Sequence, residues 1–270
     1  MNIQISNLHH IYTGGIHALK GITLTIRGGE CVLLLGQNGA GKSTLLKHLN
    51  GILKPTSGDV VIGETNTKFH DIAHLAQFVA LSFQNPDDQI SSKSVFEEAT
   101  FGPRNLGKEN HEDLARDALR MFGLEEIADT HPYDLHPSKR KLLTLASAIA
   151  MDTPVVAFDE PTAGFDLTQR SLFGEALQKL KERRKTVILV SHDLDYSLQY
   201  CDLVILMDRG RVTFHGGKVD LLSRPDLREL LRASGLGPPI LWRMSRVVGL
   251  RTVPSSVEEF SRLLNEKRTI

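Results

Sequence analysis

Apolar and polar residues alternate near the start of the chain, in Ile3-Gln4-Ile5 and again in Ile22-Thr23-Leu24-Thr25-Ile26, which runs into a Gly28-Gly29 turn. A period of two marks a half-buried strand, so two strands are expected within about the first thirty residues. The pattern then changes. Cys31-Val32-Leu33-Leu34-Leu35 is apolar at every position, as a strand covered on both faces of a parallel sheet requires. Val155-Val156-Ala157-Phe158 and Val187-Ile188-Leu189-Val190 repeat it. Stretches with helical spacing, 112–122 and 167–184, separate these runs. The β-α alternation predicts an α/β, doubly wound fold.

Residues from about 88 to 150 carry helical spacing and little strand signal, and are expected to form an insert beside the sheet. After Leu203-Val204-Ile205-Leu206-Met207 and the Asp208-Arg209-Gly210 turn the chain changes character. Gly237-Pro238-Pro239 and Pro254 punctuate short amphipathic helices, the last opening on a capping pattern, Ser256-x-x-Glu259. Leu227, Leu230 and Leu231, and later Phe260, Leu263 and Leu264, recur at helical spacing. A face of that kind needs a partner surface, either the subunit's own core or a second subunit. The organisation expected is a core over 1–216 and a small C-terminal domain over 217–270.

Composition narrows the class. Lys plus Arg and Asp plus Glu balance at 32 each over 270 residues, so no global field exists to hold nucleic acid. The basic runs Lys139-Arg140-Lys141 and Arg183-Arg184-Lys185 are short, and the second reads as a solvated helix end. Cys31 and Cys201 show no metal spacing and read as small buried hydrophobes of a reducing compartment. The eleven histidines are scattered, and no metal site of their own is expected. No run approaches the roughly 18 apolar residues of a membrane span, and Met1-Asn2-Ile3-Gln4-Ile5 lacks signal-peptide character. A cytoplasmic location is expected, with any membrane role exercised through a partner.

The chemistry sits at strand ends. Gly36-Gln37-Asn38-Gly39-Ala40-Gly41-Lys42-Ser43 fits the phosphate-binding loop G-x-x-x-x-G-K-S in full, after a buried strand and before a helix opening at Thr44. Glycines let successive N–H groups turn toward a phosphate, Lys42 reaches the β- and γ-phosphates, and the Ser43 hydroxyl takes a position on Mg²⁺. Gly36, Asn38, Gly39, Ala40, Gly41, Lys42, Ser43 and Thr44 are therefore the expected ATP cradle. Val155 to Phe158 runs into Asp159-Glu160. Asp159 at the strand end suits Mg²⁺, and Glu160, one residue further, suits a general base for water. Beside a phosphate loop, the acid pair becomes specific.

With these residues in hand, the chain resembles the nucleotide-binding subunits of ABC transporters over essentially its whole length. The resemblance implies a P-loop NTPase of ABC type, with a helical subdomain and a small C-terminal domain. Gln84 in Leu81-Ser82-Phe83-Gln84-Asn85-Pro86 matches the family's Q-loop, which senses the γ-phosphate and Mg²⁺ and meets the membrane subunit. Ala163-Gly164-Phe165-Asp166 matches its D-loop, with Asp166 crossing a dimer interface. Ser191-His192-Asp193 matches its switch histidine, and Tyr12 sits where the family stacks a ring on adenine. Out of context, His192 would read as a strand-end histidine and Tyr12 as a packing residue. Gln84-Asn85-Pro86-Asp87-Asp88-Gln89 and Phe101-Gly102-Pro103-Arg104-Asn105-Leu106-Gly107 are similar to ATPase subunits of energy-coupling-factor importers. That likeness implies uptake of cobalt, nickel or a water-soluble vitamin. It also implies a C-terminal dimerisation domain, a second ATPase subunit, integral membrane partners and a peripheral place at the cytoplasmic membrane face.

One element departs from the family. Its signature, Leu-Ser-Gly-Gly-Gln, falls on Leu135-His136-Pro137-Ser138-Lys139. In the family this segment donates to the γ-phosphate bound by the opposite subunit. Here Pro137 suits a first helical turn, and Ser138 still offers an N–H and a hydroxyl. Ser138 is therefore kept among the expected ATP-binding residues, with reduced function. Two rivals follow. A soluble ABC ATPase of DNA repair or translation needs a long coiled coil, a basic face or fused cassettes, which the chain lacks. A subunit that binds ATP but hardly turns it over is the alternative the altered signature suggests.

Overall fold

The structure is a computed structural model that describes residues 1–250, 252–254 and 257–268. Ser256, which opens the expected capping pattern, lies outside them. In chain order the elements are β1 (Ile3–Ile11), β2 (His17–Ile26), β3 (Cys31–Leu35), α1 (Lys42–Leu49), β4 (Ser57–Ile62), β5 (Thr65–Asn66), α2 (Ile72–Leu75) and β6 (Val79–Ser82). Then come α3 (Val95–Asn105), α4 (His111–Met121), α5 (Pro137–Ala150), β7 (Val155–Asp159), α6 (Leu167–Glu182), β8 (Thr186–Val190), α7 (Leu194–Ser197) and β9 (Leu203–Asp208). β10 (Arg211–Gly217), α8 (Lys218–Ser223), α9 (Leu227–Ala233), α10 (Ile240–Val247) and α11 (Val257–Arg268) follow.

The strands form two sheets. β2-β1-β4-β5 is antiparallel, and β10-β9-β3-β8-β7-β6 is parallel except for its edge strand β10. β3, β7 and β8 are buried at every position. Because side chains alternate across a strand, the larger sheet feeds two cores. Leu33, Leu35, Val156, Phe158, Val187 and Leu189 face a core shared with α3 to α6. Val32, Leu34, Val155, Ala157, Ile188 and Val190 face a second, closed by the smaller sheet and by Leu45, Leu46 and Leu49 of α1. The helix that carries Lys42 is thus held between two sheets.

Local chemistry explains where the alternation is hard to read. In β1, Ile3 and Ile5 are buried, then Leu8 and His10. Asn7 adopts a left-handed conformation (φ 46°) inside a bulge, which reverses the parity of the strand. β4 begins on Ser57-Gly58 and β6 has only four residues, so neither carries enough period to be seen in sequence.

The tail divides. Leu221, Leu227, Leu231 and Trp242 join the subunit's main core, so α8 and α9 satisfy their apolar face internally. α10 does so only through Trp242: Ile240, Met244 and Val247 stay exposed, Val247 at 86%. In the basic run Lys139-Arg140-Lys141, Lys141 is buried and Arg140 pairs with Asp87 at 3.3 Å. Cys31 and Cys201 are both buried, with their Sγ atoms 3.2 Å apart. Among the described residues no helix is long and apolar enough to cross a membrane.

Candidate active site

A cavity of about 970 Å³ opens at the carboxyl ends of the parallel strands. Tyr12, Gly36, Asn38, Gly39, Gly41, Lys42, Ser43, Thr44, Gln84, Asp159, Glu160 and His192 all line it. Open α/β sheets place ligands at this edge because each strand there releases a loop toward the same side. β3 delivers the phosphate loop, β7 the acid pair, β8 His192 and β6 Gln84.

The loop's shape is fixed by glycine. Gly36 has φ 147°, and a Cβ there would run into the Met207 carbonyl oxygen. Gly41 has φ 103°, where a Cβ would lie 2.9 Å from the Ala18 carbonyl oxygen. Gly41 also caps α1 without any side-chain hydrogen bond, so the first amides of the helix are left for an anion. Lys42 donates to the carbonyls of Gly36 at 2.6 Å and Gln37 at 3.1 Å. Burial pushes its pKa down, and the carboxylates of Glu160 and Asp159 oppose that. The cradle fits a polyphosphate by its open amides, its bare glycines and this one ammonium. Ser43, Gln84 and Asp159 offer an all-oxygen donor set of the kind Mg²⁺ takes.

Asp159 ends β7 and is 7% exposed. Glu160 follows in a left-handed conformation (φ 49°), with its N–H on the Val190 carbonyl at 3.0 Å. That backbone is unfavourable for a residue with a side chain and turns the buried carboxyl out of the sheet into the cavity. His192 Nδ1 meets Glu160 Oε2 at 2.8 Å. The Tyr12 hydroxyl meets Thr44 Oγ1 at 3.0 Å, which ties the ring to the loop's helix.

The chain is similar to known proteins along most of its length. The ABC transporter family profile matches residues 19–163. The energy-coupling factor transporter ATP-binding protein of Methanoculleus marisnigri is 38% identical over 92% of this chain and 91% of its own length. The chain belongs to the ABC transporter ATPases. Among solved structures, a part of the ABC transporter complex cbiONQ from Clostridium perfringens superposes with a TM-score of 0.73 at 30% identity, covering 92% of this chain and 98% of its own. A dimeric ATP-binding cassette in a post-hydrolysis state, bound to ADP and Pi, gives 0.73 at 27% identity, covering 80% and 98%.

Three expected site residues of this ABC ATPase lie outside the main cavity. Ala40 is buried behind the loop. Ser138 lines a separate cavity of about 370 Å³ with Asn85, Asp87, His136, Arg140, Lys141 and Gly164. Asp166 caps α6, accepting from the Gln169 N–H at 2.8 Å. Other lining residues carry no motif: Lys20, Arg209, Gly235 and Leu236 all reach the ATPase cavity. A Cβ on Gly235, beyond α9, would lie 3.1 Å from Gln37 Cβ, so the tail touches the phosphate loop. Lys141 was also hidden in sequence. Burial pushes its pKa down, against the opposing pull of Glu160 and Asp159. The histidines do meet, in pairs: His9 with His17, and His10 with His48, each at 3.2 Å.

Proposed function

We propose that this ABC ATPase powers an energy-coupling-factor importer for a transition-metal ion such as cobalt or nickel, or for a water-soluble vitamin. The observation that carries the reading is the meeting of Lys42, Asp159, Glu160 and His192 around one cavity, in a chain related to an energy-coupling factor protein. The relative from the cbiONQ complex supports membrane partners, and the ADP-bound dimer supports a pair of such subunits closing on nucleotide. Peripheral attachment to the cytoplasmic membrane face follows from such partners.

In the proposed site Tyr12 stacks on adenine, while Lys42 and the amides from Gly36 to Thr44 hold the phosphates. Mg²⁺, held by Ser43, Gln84 and Asp159, would neutralise phosphate charge. Glu160 takes the proton of the attacking water, and His192 holds the glutamate carboxyl in place. Positioning and charge neutralisation supply most of such a rate enhancement. Asp166 and Ser138 are assigned to the face toward the second subunit, and Gln84 with 86–107 to the membrane partner.

A second reading, a subunit that binds ATP with little turnover, is favoured by His136-Pro137-Ser138-Lys139 alone. Purifying the full chain with its membrane partners and measuring steady-state hydrolysis separates the two. Turnover stimulated by those partners is the expected result; tight Mg-ATP binding without turnover would select the second reading.

A further inference from the structure

Four residues that the proposed mechanism uses only in part are joined in one chain of hydrogen bonds. The Asp166 N–H donates to Gln169 Oε1 at 3.2 Å. Gln169 Nε2 donates to Ser138 Oγ at 2.9 Å. Ser138 Oγ lies 2.9 Å from His136 Nδ1, which also receives the Ser138 N–H at 3.4 Å. The polarity closes without conflict. An amide nitrogen can only donate, so Ser138 Oγ accepts from Gln169 and donates its own O–H to Nδ1. The proton of neutral His136 then sits on Nε2.

The chain links two separate elements, the first turn of α5 and the first turn of α6. Between Glu160 and the cap at Asp166 runs a short loop, and its Ala163 lines both the nucleotide cavity and the cavity beside Ser138. One end of that loop is held by β7 and by the bond from Glu160 to His192. The other is held by the reciprocal cap between Asp166 and Gln169, and Gln169 ties this cap to α5.

We propose that Gln169 is a positioning residue for ATP hydrolysis: through Ser138 it clamps the far end of the loop that begins at Glu160. Ser138 belongs to the altered signature, so the clamp depends on a hydroxyl that a glycine at that place would not supply. The inference rests on the assignment of Glu160 as the base. It gives the departure at Ser138 a role within its own subunit, separate from any contact across a dimer.

The test is a double-mutant cycle in the full chain with its membrane partners, using Gln169→Leu and Ser138→Ala. Each single change is expected to lower kcat roughly two- to tenfold, the range of one hydrogen bond. The KM for Mg-ATP and the thermal midpoint should not move, and the double variant should lose no more than the worse single one. Additive losses, unchanged kcat in both singles, or a loss matched by a lower thermal midpoint would each overturn the clamp. Normal turnover in Glu160→Gln would instead remove the assignment beneath it. A dead Glu160→Gln beside a normal Gln169→Leu sinks the clamp alone.

Discussion

His192 Nδ1 lies 2.8 Å from Glu160 Oε2, bridging the ends of two adjacent parallel strands. A carboxylate can only accept, so with Glu160 charged Nδ1 carries the proton and Nε2 faces the open side. His192 is 69% exposed while the glutamate is 10% exposed at its side chain. The pair therefore joins a buried carboxyl to an imidazole that is largely open to solvent.

Glu160→Gln keeps the volume and the contact with His192 but cannot take a proton from water. Nucleotide affinity should persist while turnover falls about 10²–10⁴-fold, the usual span for a general base. Equilibrium binding and single-turnover hydrolysis on the same preparation check this. Wild-type turnover would remove Glu160 from the role.

Restoring Ser-Gly-Gly-Gln at 136–139 tests the altered signature. Losing a donor aimed at developing charge lowers the rate by about 10²–10³, and Ser138, Lys139 and the α5 terminus recover part of that. A several-fold rise in ATPase at saturating Mg-ATP is expected across the dimer. The same change removes the Ser138 clamp within the subunit, so pairing it with Gln169→Leu separates the two effects.

The tail splits between helices packed on the core and a helix that leaves apolar side chains exposed. Deleting 217–270 removes Leu221, Leu227 and Leu231 from the core, so a weaker dimer there would be confounded with unfolding. Met244→Asp and Val247→Asp alter only exposed positions of α10. They should weaken the nucleotide-free dimer and leave the thermal midpoint of the monomer unmoved. Equal mass by light scattering across a dilution series would assign the face to another partner.

His48 gives a pH test. It is fully buried on α1, with Nδ1 on the Thr44 carbonyl at 2.7 Å and Nε2 3.2 Å from His10 Nδ1. Burial holds its pKa below the ordinary imidazole value, His10 adds to this, and the Thr44 and Lys54 carbonyls oppose it. In that window the unfolded chain binds the proton and the folded chain does not, so stability drops as pH falls below about 6.5. His48→Gln should reduce the loss of thermal midpoint between neutral and mildly acidic solution. An unchanged slope would show that other groups set it.

The phosphate loop and the acid pair were legible because each is local: a run of glycines, one lysine, two acids after an apolar strand. Their meeting was legible only through the parallel sheet that the three apolar runs imply. Gln169 was not, because a glutamine three residues into a helix reads as a cap, and its second partner lies 31 positions earlier. The same holds for Cys31 and Cys201, 170 positions apart and brought together where β3 and β9 lie side by side. Gly235 carries no sign in its neighbours of the contact with Gln37. Contacts across strand order belong to topology, and a single sequence states topology faintly.

That strand order has a further consequence. In the chain the residues run Lys42, Gln84, Glu160, His192, but across the sheet their strands run β3, β8, β7, β6. Neighbouring strands are about 4.8 Å apart, so these four ends fall along roughly 14 Å like marks on a ruler. The graduations are backbone hydrogen bonds. A substitution inside a strand that keeps its register leaves every mark where it was, whatever it does to stability. Inserting one residue shifts a single mark by about 3.3 Å and turns its side chain to the opposite face. The precision of this site is therefore the precision of a ladder of amides, and side chains around the cavity inherit it.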